Sequence, residues 1–515
     1  MGRKLIIAVI VILMIVVGIG IFLLLQNLEQ DGSGDTETGS FILSGLAANR
    51  ITVTEAIPKY ETGKDVTNYD SAFNKEIINV KNGKATIELG GSPVFIDLDS
   101  SYSKANLASY GDSPFGFHPA NAFIKGSADN GFTDASNIGI KWARQGLYVF
   151  WFIVQPDINL PDYDFTKYDE QWENVPEDIN ILANIGIAPA ALMRGGSERA
   201  DSSETEKAKE YFKDGTFLPT NEEKYVAFVH AAVERYDGDG IDDIPGLKNP
   251  VKYWQVGNEP PGGLANYAEF LKLTYDAIKE SCSDCKVLIG GVPGLPPAST
   301  YLSQFDSSYL LILEKAAELG KSFDIFDFHW YGNAVGDYKG AEEVYNHIKQ
   351  KLNGLGIFPQ EYWITEMGAY SGDPSGDAKD VSTYQTEAQQ AADYLKRFVF
   401  PLSIGIKKIF PAFGLVEGFH HNDGYFDHTG LIYDGGGSDD LGAGVKKLGY
   451  YTYKLMTEKL EGSDWNNIET ISDGTGNIYV YKFYRKDLGK PVYVAWLDSP
   501  EEKTGKSEDI KNKTK

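Results

Sequence analysis

The period of the apolar positions divides this chain into zones. Between about Ser113 and Gly462, short apolar runs alternate with longer segments whose apolar residues recur every three or four positions. This stretch reads as eight repeats of strand then helix. Strands are predicted at Phe115 to His118, Trp142 to Gln145, Ile187 to Met193, Tyr253 to Gly257, Val287 to Gly291, Asp324 to Trp330, Tyr362 to Glu366 and Lys408 to Phe413. Amphipathic helices are predicted between them, among them Glu222 to Tyr236, Tyr267 to Ser281, Leu310 to Leu319 and Tyr384 to Phe400. Eight such units in about 350 residues predict an α/β fold, the (β/α)8 TIM barrel, over residues 113–462. A doubly wound sheet is the alternative, but it offers a ligand one switch point and gives no reason for acids on two distant strands.

On either side of that zone the period drops to two. Residues 41–112 contain Lys84-Ala85-Thr86-Ile87-Glu88-Leu89, then Gly90-Gly91-Ser92, then Pro93-Val94-Phe95-Ile96-Asp97, which reads as a turn between strands of an antiparallel sheet. Residues 463–498 repeat the signature with Tyr479-Val480-Tyr481-Lys482-Phe483, a turn at Gly489, and Pro491-Val492-Tyr493-Val494-Ala495-Trp496. Unpaired apolar edges aggregate, so the two ends are expected to pair with each other and complete one accessory β-sandwich. Residues 499–515 are a polar tail.

The N-terminus has no alternation at all. After a four-residue stub containing Arg3 and Lys4, residues Leu5 to Leu25 are uninterruptedly apolar. As a helix this run would span about 31 Å, the thickness of a bilayer core. It lacks the short core and small-residue exit of a signal peptide, which remains the alternative. Residues 26–40 follow as an acidic, Gly/Ser/Thr-rich tether. The expectation is a single-pass transmembrane helix with the stub in the cytoplasm and the rest outside. A net charge of -25 argues against nucleic acid or an anionic membrane surface as a partner, since phosphate binding needs a basic stripe. Oligomeric state is not legible.

Two segments carry chemistry: Tyr253-Trp254-Gln255-Val256-Gly257-Asn258-Glu259-Pro260 and Glu361-Tyr362-Trp363-Ile364-Thr365-Glu366-Met367-Gly368. Each is a β-prone run that ends on a carboxylate, which is how a barrel strand delivers an acid to the C-terminal face. Although 107 residues apart, the two glutamates can converge there. A pair of carboxyl groups, with no metal or cofactor, is what glycoside hydrolysis requires. The plain alternative is a pair of solvated or salt-bridged strand-end acids.

Asn258-Glu259-Pro260 and Thr365-Glu366-Met367-Gly368, in this order within an αβ alternation, resemble the acid/base and nucleophile strands of clan A glycoside hydrolases. The surrounding sequence is most similar to the family that holds β-xylosidases and α-L-iduronidases, and next to the cellulase-like family of the clan. The resemblance implies a retaining enzyme for β-linked oligo- or polysaccharide, with Glu259 as acid/base and Glu366 as nucleophile. It further implies that Asn258 binds the sugar 2-hydroxyl, that Arg144 keeps the nucleophile ionised, and that His329 and Tyr331 orient it. His118 joins this substrate-binding set. In such relatives a sandwich follows the barrel, whereas here strands resembling its last ones precede the barrel. Many relatives carry a tryptophan floor on the eighth strand; Ile409-Phe410-Pro411-Ala412-Phe413 has none, leaving Phe413 or a loop residue for that place.

Weaker features each have two readings. Trp151, Trp330 and Tyr331 suit stacking on sugar rings or core packing. The run Phe419 to His428, with His421 as the candidate contact, suits a sugar-binding loop, a plain loop or a metal site. Cys282 and Cys285 suit a local disulfide, free thiols or metal binding. A catalytically silent carbohydrate-binding or scaffold protein is the competing function, but it has no reason to keep both acids and Asn258.

Overall fold

The computed structural model describes residues 39–59, 66–98, 112–121, 131–144, 148–193, 202–264, 266–332, 337–374, 384–436 and 440–498. The expected anchor at 5–25, nearly all of the tether and the tail at 499–515 lie outside these residues. No helix among the described residues is long and apolar enough to cross a membrane.

Five strands precede the barrel: β1 (Gly39–Ser44), β2 (Arg50–Glu55), β3 (Lys75–Asn79), β4 (Lys84–Leu89) and β5 (Val94–Leu98). The barrel is built from β6 (Gly116–Phe117), β7 (Trp142–Arg144), β8 (Val149–Phe150), β9 (Asn180–Gly186), β10 (Tyr253–Val256), β11 (Lys286–Ile289), β12 (Ile325–Asp327), β13 (Glu361–Met367) and β14 (Lys408–Pro411). Three strands follow: β15 (Glu469–Asp473), β16 (Ile478–Arg485) and β17 (Lys490–Leu497).

The parallel strands run in the order β14-β13-β12-β11-β10-β9-β7-β6, and β8 extends the second position by also pairing with β9. Parallel bridges Phe115–Ile409 and His118–Ala412 close the ring between β6 and β14. Helices cover the outside as predicted at Glu222–Tyr236, capped by Asn221, and at Leu310–Leu319. The helix Glu387–Ile404 opens on a Thr386/Gln389 capping box and stops at Gly405, whose φ of 113° suits only glycine well.

Three expectations need correction here. The third barrel strand is Asn180–Gly186, not Ile187 to Met193, where a helical turn begins at Ala190. Apart from Asn180 and Asn184 the stretch is apolar through Met193, so periodicity did not place the strand, and pairing with β7 and β10 decided it. Secondly, Gly90-Gly91-Ser92 is not a hairpin turn. It carries the chain from one sheet to another: β4 pairs with β1, and β5 lies in a six-stranded sheet ordered β15-β16-β17-β5-β2-β3. The tether also ends sooner than predicted, because β1 begins at Gly39.

The chain ends do pair. β17 runs antiparallel to β5 with Val494 opposite Phe95 and Ala495 opposite Val94. Period-two alternation then gives this sheet two apolar faces. Ile51, Val53, Ile96, Val480 and Ala495 pack against Leu43, Ile87 and Leu89 of the β1/β4 pair, while Phe95, Tyr481, Val494 and Trp496 join the barrel core. Trp496 is fully buried at that junction, and its indole N–H donates to the Tyr338 hydroxyl at 2.9 Å. Lys459–Asp97 and Lys396–Asp498 ion pairs, 2.5 and 2.9 Å long, pin the same sheet to barrel helices. Truncating Trp496 to Ala should therefore lower the unfolding free energy in urea by about 3–5 kcal/mol.

Candidate active site

Strand alternation sorts the barrel interior into layers. Trp142, Leu182, Leu288, Ile325, Trp363 and Phe410 form an apolar floor. Two residues further along their strands, the inward positions of β7, β9, β10, β12 and β13 are Arg144, Asn184, Gln255, Asp327 and Thr365. These five are buried and linked by hydrogen bonds. Arg144 Nε donates to Gln255 Oε1 at 2.8 Å, and Asn184 Nδ2 donates to the same oxygen at 2.9 Å. Gln255 Nε2 donates to Asp327, whose carboxylate also accepts from Thr365 N at 2.9 Å and Thr365 Oγ1 at 2.5 Å. Burial pushes the Asp327 carboxyl up to about 6, against the opposing charges of His329 and Arg144.

The carboxylate pair sits above this polar layer. Plain alternation would turn Glu366 outward, since Trp363 and Thr365 already point in. Pairing with β14 slips between Ile364 and Met367, so β13 carries one extra residue and Glu366 also faces the interior. On β10 the chain leaves the strand through Gly257 at φ 70° and reaches Glu259 at φ 44°, a left-handed conformation rare for a side-chain-bearing residue. Oxygens of Glu259 and Glu366 come within 4.8 Å of each other.

Their surroundings differ. Glu366 is buried, whereas the Glu259 side chain is about one-third exposed at 37%. Arg144 Nη1 donates to Glu366 Oε1 at 2.6 Å, and the Tyr331 hydroxyl donates to Oε2 at 2.7 Å. Burial alone would raise the Glu366 carboxyl, but the His329 and Arg144 charges and the Tyr331 hydrogen bond outweigh it. The group is held well below the ordinary carboxylate range. Arg144 Nη2 donates to Asn258 Oδ1 at 2.5 Å, which fixes the amide and leaves Nδ2 as its donor toward a ligand.

Both histidines are buried and carry different charge. His118 Nδ1 donates to the Arg144 carbonyl at 3.0 Å; burial and the Arg144 charge lower its pKa to about 3, so it is neutral. His329 departs from the expectation that it orients Glu366. Its Nδ1 is 2.8 Å from Glu259 Oε1 and 3.5 Å from Glu366 Oε2, so it serves Glu259 first. Its Nε2 faces Thr365 Oγ1 at 3.2 Å, and that hydroxyl is already committed as a donor to Asp327. Burial opposes the charged form, but Glu366 and Glu259 outweigh it and raise the pKa above its ordinary value. An imidazolium donating at both nitrogens fits this chain of partners.

Other expected contacts separate. Trp330 is one residue out of phase with His329 and Tyr331, so it points into the helix layer. There it is buried, packs on Tyr301 and donates to the Asp337 carbonyl at 3.0 Å. Trp151 is likewise core, donating to Gln155 Oε1 at 2.6 Å and packing on Tyr211 and Tyr225. Neither can stack on a sugar at this face. Phe413 does border the site, 5.6 Å from the His118 ring and 6.4 Å from Tyr331. His421 stands on the loop beyond, exposed, with Nδ1 3.4 Å from Asp434 Oδ2. Sequence reasoning assigned no role to Gln255, Asp327, Thr365 or Asn184. Their signal was there, because each is a polar residue at the inward phase of an otherwise apolar strand.

Two clusters among the described residues bring metal-type donor atoms within 4.8 Å. Cys282, Asp284 and Cys285 form one, but the cysteines are joined in a disulfide. Glu259, His329 and Glu366 form the other, and there the Arg144 guanidinium already supplies the cation.

Replacing Arg144 with Met removes the hydrogen-bonded cation of the buried Glu366 charge and leaves only His329, 3.5 Å away, at a cost of about 3–5 kcal/mol at pH 7. Wild-type stability from this depressed carboxyl is present above the ordinary carboxylate pKa and fades as pH falls below it. In Arg144→Met, protonation instead relieves the unpaired charge. Urea unfolding at stepped pH should thus show the deficit shrinking toward pH 4.

No family profile and no curated protein sequence matches the chain. Solved structures do. A family 39 glycoside hydrolase from the gut symbiont Bacteroides cellulosilyticus WH2 aligns with a TM-score of 0.51 at 16% identity, over 90% of this chain and 88% of that one. A glucosidase from Croceicoccus marinus aligns at 0.48 and 16% identity, covering 75% of this chain and 77% of its own. A monomeric β-xylosidase from Caulobacter crescentus CB15 aligns at 0.43 and 15% identity, covering 74% and 75%. The chain has the fold of that family 39 glycoside hydrolase.

Proposed function

We propose that this protein is a retaining glycoside hydrolase that cleaves a β-linked oligo- or polysaccharide. The observation that carries the reading is the pair of carboxylates with one oxygen of each within 4.8 Å of the other, one group ion-paired to a buried arginine and the other partly open. Retention needs the two carboxyl groups about 5–5.5 Å apart, whereas inversion needs room for a water between them.

Glu366, kept ionised by Arg144, attacks the anomeric carbon while Glu259 gives a proton to the leaving oxygen. A glycosyl ester on Glu366 results. Glu259 then takes a proton from water, which attacks the same carbon and displaces Glu366, restoring the starting configuration. Asn258 Nδ2 donates to the sugar 2-hydroxyl. Tyr331 holds the Glu366 oxygen not bound by Arg144, and His329 is bonded to Glu259. The chemistry asks for no cofactor. Likeness to a named glycosidase fold supports the class, and the carboxylate geometry supports the mechanism within it.

The test is turnover of β-linked aryl glycosides and polysaccharides by full-length protein beside Glu366→Ala and Glu259→Ala. Each variant should lose at least about 10³-fold in kcat on unactivated substrates. Azide should rescue Glu366→Ala to a product of inverted configuration and Glu259→Ala to one of retained configuration. A folded wild type that binds saccharide yet turns over nothing would instead make it a binding protein.

We further propose that Leu5 to Leu25 anchors the protein in a membrane with the catalytic domain outside the cytoplasm, residues 41–112 and 463–498 flanking the 113–462 barrel. The protein should stay with membranes after alkaline extraction, and external protease should reach the barrel. Release into the soluble fraction would point to cleavage of the segment.

A further inference from the structure

A cleft beside the carboxylate pair has no part in the chemistry just described. It starts at Phe413, whose ring is nearly parallel to Tyr331 on one side, at 15°, and to Phe419 on the other, at 20° with centroids 4.4 Å apart. Tyr331 touches Glu366, and Phe419 is 47% exposed. Three near-parallel rings therefore lead from the proposed nucleophile to open surface. A cavity of about 650 Å³ borders Phe413 and Phe419 and is also walled by Asn121, Glu417, His421 and Asp434. A second of about 420 Å³ shares Glu417, His421 and Asp434 with it. Each is within the size range of small-ligand sites.

The loop that presents Phe419 is built in advance of any ligand. The Asp427 carboxylate accepts the backbone N–H groups of His420, His421 and Asn422 at 2.5, 3.0 and 2.7 Å. His428 is buried and bonded to Asp423 at 2.9 Å. An exposed aromatic ring held on such a frame binds without first paying for its own ordering.

Topology says which part of a substrate would lie there. The cleft is formed by loops after β14 and β6, neighbours at the barrel closure. Glu259 follows β10, four places from β14 around the ring of eight strands. The proton donor must stand beside the leaving group, so the side opposite it receives the portion that stays with Glu366. Charge narrows the chemistry. Asp423, Asp427, Asp434 and Asp440 line the second cavity, while Glu417 there is paired with the buried ammonium of Lys447 and adds no net negative charge. A concave wall of this sign repels anions and concentrates cations.

We infer that this cleft is a second sugar subsite on the glycone side, stacking a neutral or amine-bearing ring on Phe419 and rejecting carboxylated or sulfated ones. The inference rests on the glycosidase reading and gives it a substrate of at least two rings on that side.

The experiment compares kcat/KM of the full-length protein for aryl β-glycosides of one monosaccharide and of disaccharides that extend it at the non-reducing end. The disaccharide-to-monosaccharide ratio should be about tenfold or more for a neutral or amino extension and at or below one for a uronate. Phe419→Ala should bring the neutral ratio close to one. Using a ratio cancels any shift passed to Phe413, and circular dichroism checks the fold. A wild-type ratio near one, a ratio indifferent to Phe419→Ala, or equal ratios for neutral and uronate extensions would overturn the inference. If no glycoside is hydrolysed, the glycosidase reading fails separately. Titration with a neutral β-linked trisaccharide then decides: binding weakened at least about tenfold by Phe419→Ala supports the cleft, and no binding, or binding unchanged in the variant, refutes it.

Discussion

A guanidinium with no solvent contact, that of Arg144, sets the terms for the centre of this protein. A buried charge survives only if it is paired and its donors are used, and Arg144 spends them on Glu366, Gln255 and Asn258. Those partners come from two other strands of the barrel, so the arginine ties together elements distant in sequence. It also makes the two carboxylates unlike each other. One is locked in an ion pair, and the other lies beside a shared histidine at the edge of solvent.

The polar layer beneath extends the same logic. Gln255, Asp327 and Thr365 would be costly in a barrel interior if any were left unpaired. Gln255 bridges the arginine to Asp327, and Thr365 passes the chain to His329 and so to Glu259. The carboxylate pair thus rests on a network in which most groups have one available arrangement. That fixes distances far better than loops could, which suits chemistry sensitive to fractions of an ångström. The β13 bulge and the left-handed backbone at Glu259 are where the frame departs from regular geometry, and both departures aim a carboxylate.

The accessory sheets solve a different problem. Strands from the two ends of the chain meet through β5 and β17, so the sheet that backs the barrel exists only when both termini are in place. One face of that sheet belongs to the barrel core and the other to the small β1/β4 pair. Folding of the flanks and folding of the barrel are therefore joined through Trp496, Asp97 and Asp498.

The sequence by itself determined the class of fold, because a change of period from two to mixed strand–helix spacing and back reflects which faces are buried. Glu259 and Glu366 were legible as carboxylates that end β-prone runs, whereas Arg144, Asn258 and Tyr331 were named only through the family resemblance those runs carry. Where apolarity was continuous, as around Ile187, period carried no register and the strand was misplaced. Where a single residue reverses direction, as at Trp330, the strand's phase had to be known before its facing could be. Only the tertiary structure decided that His329 serves Glu259 before Glu366, that Gly90-Gly91-Ser92 joins two sheets, and that Phe413 and Phe419 stack. Each depends on distances between segments far apart in the chain, and no local pattern encodes a distance.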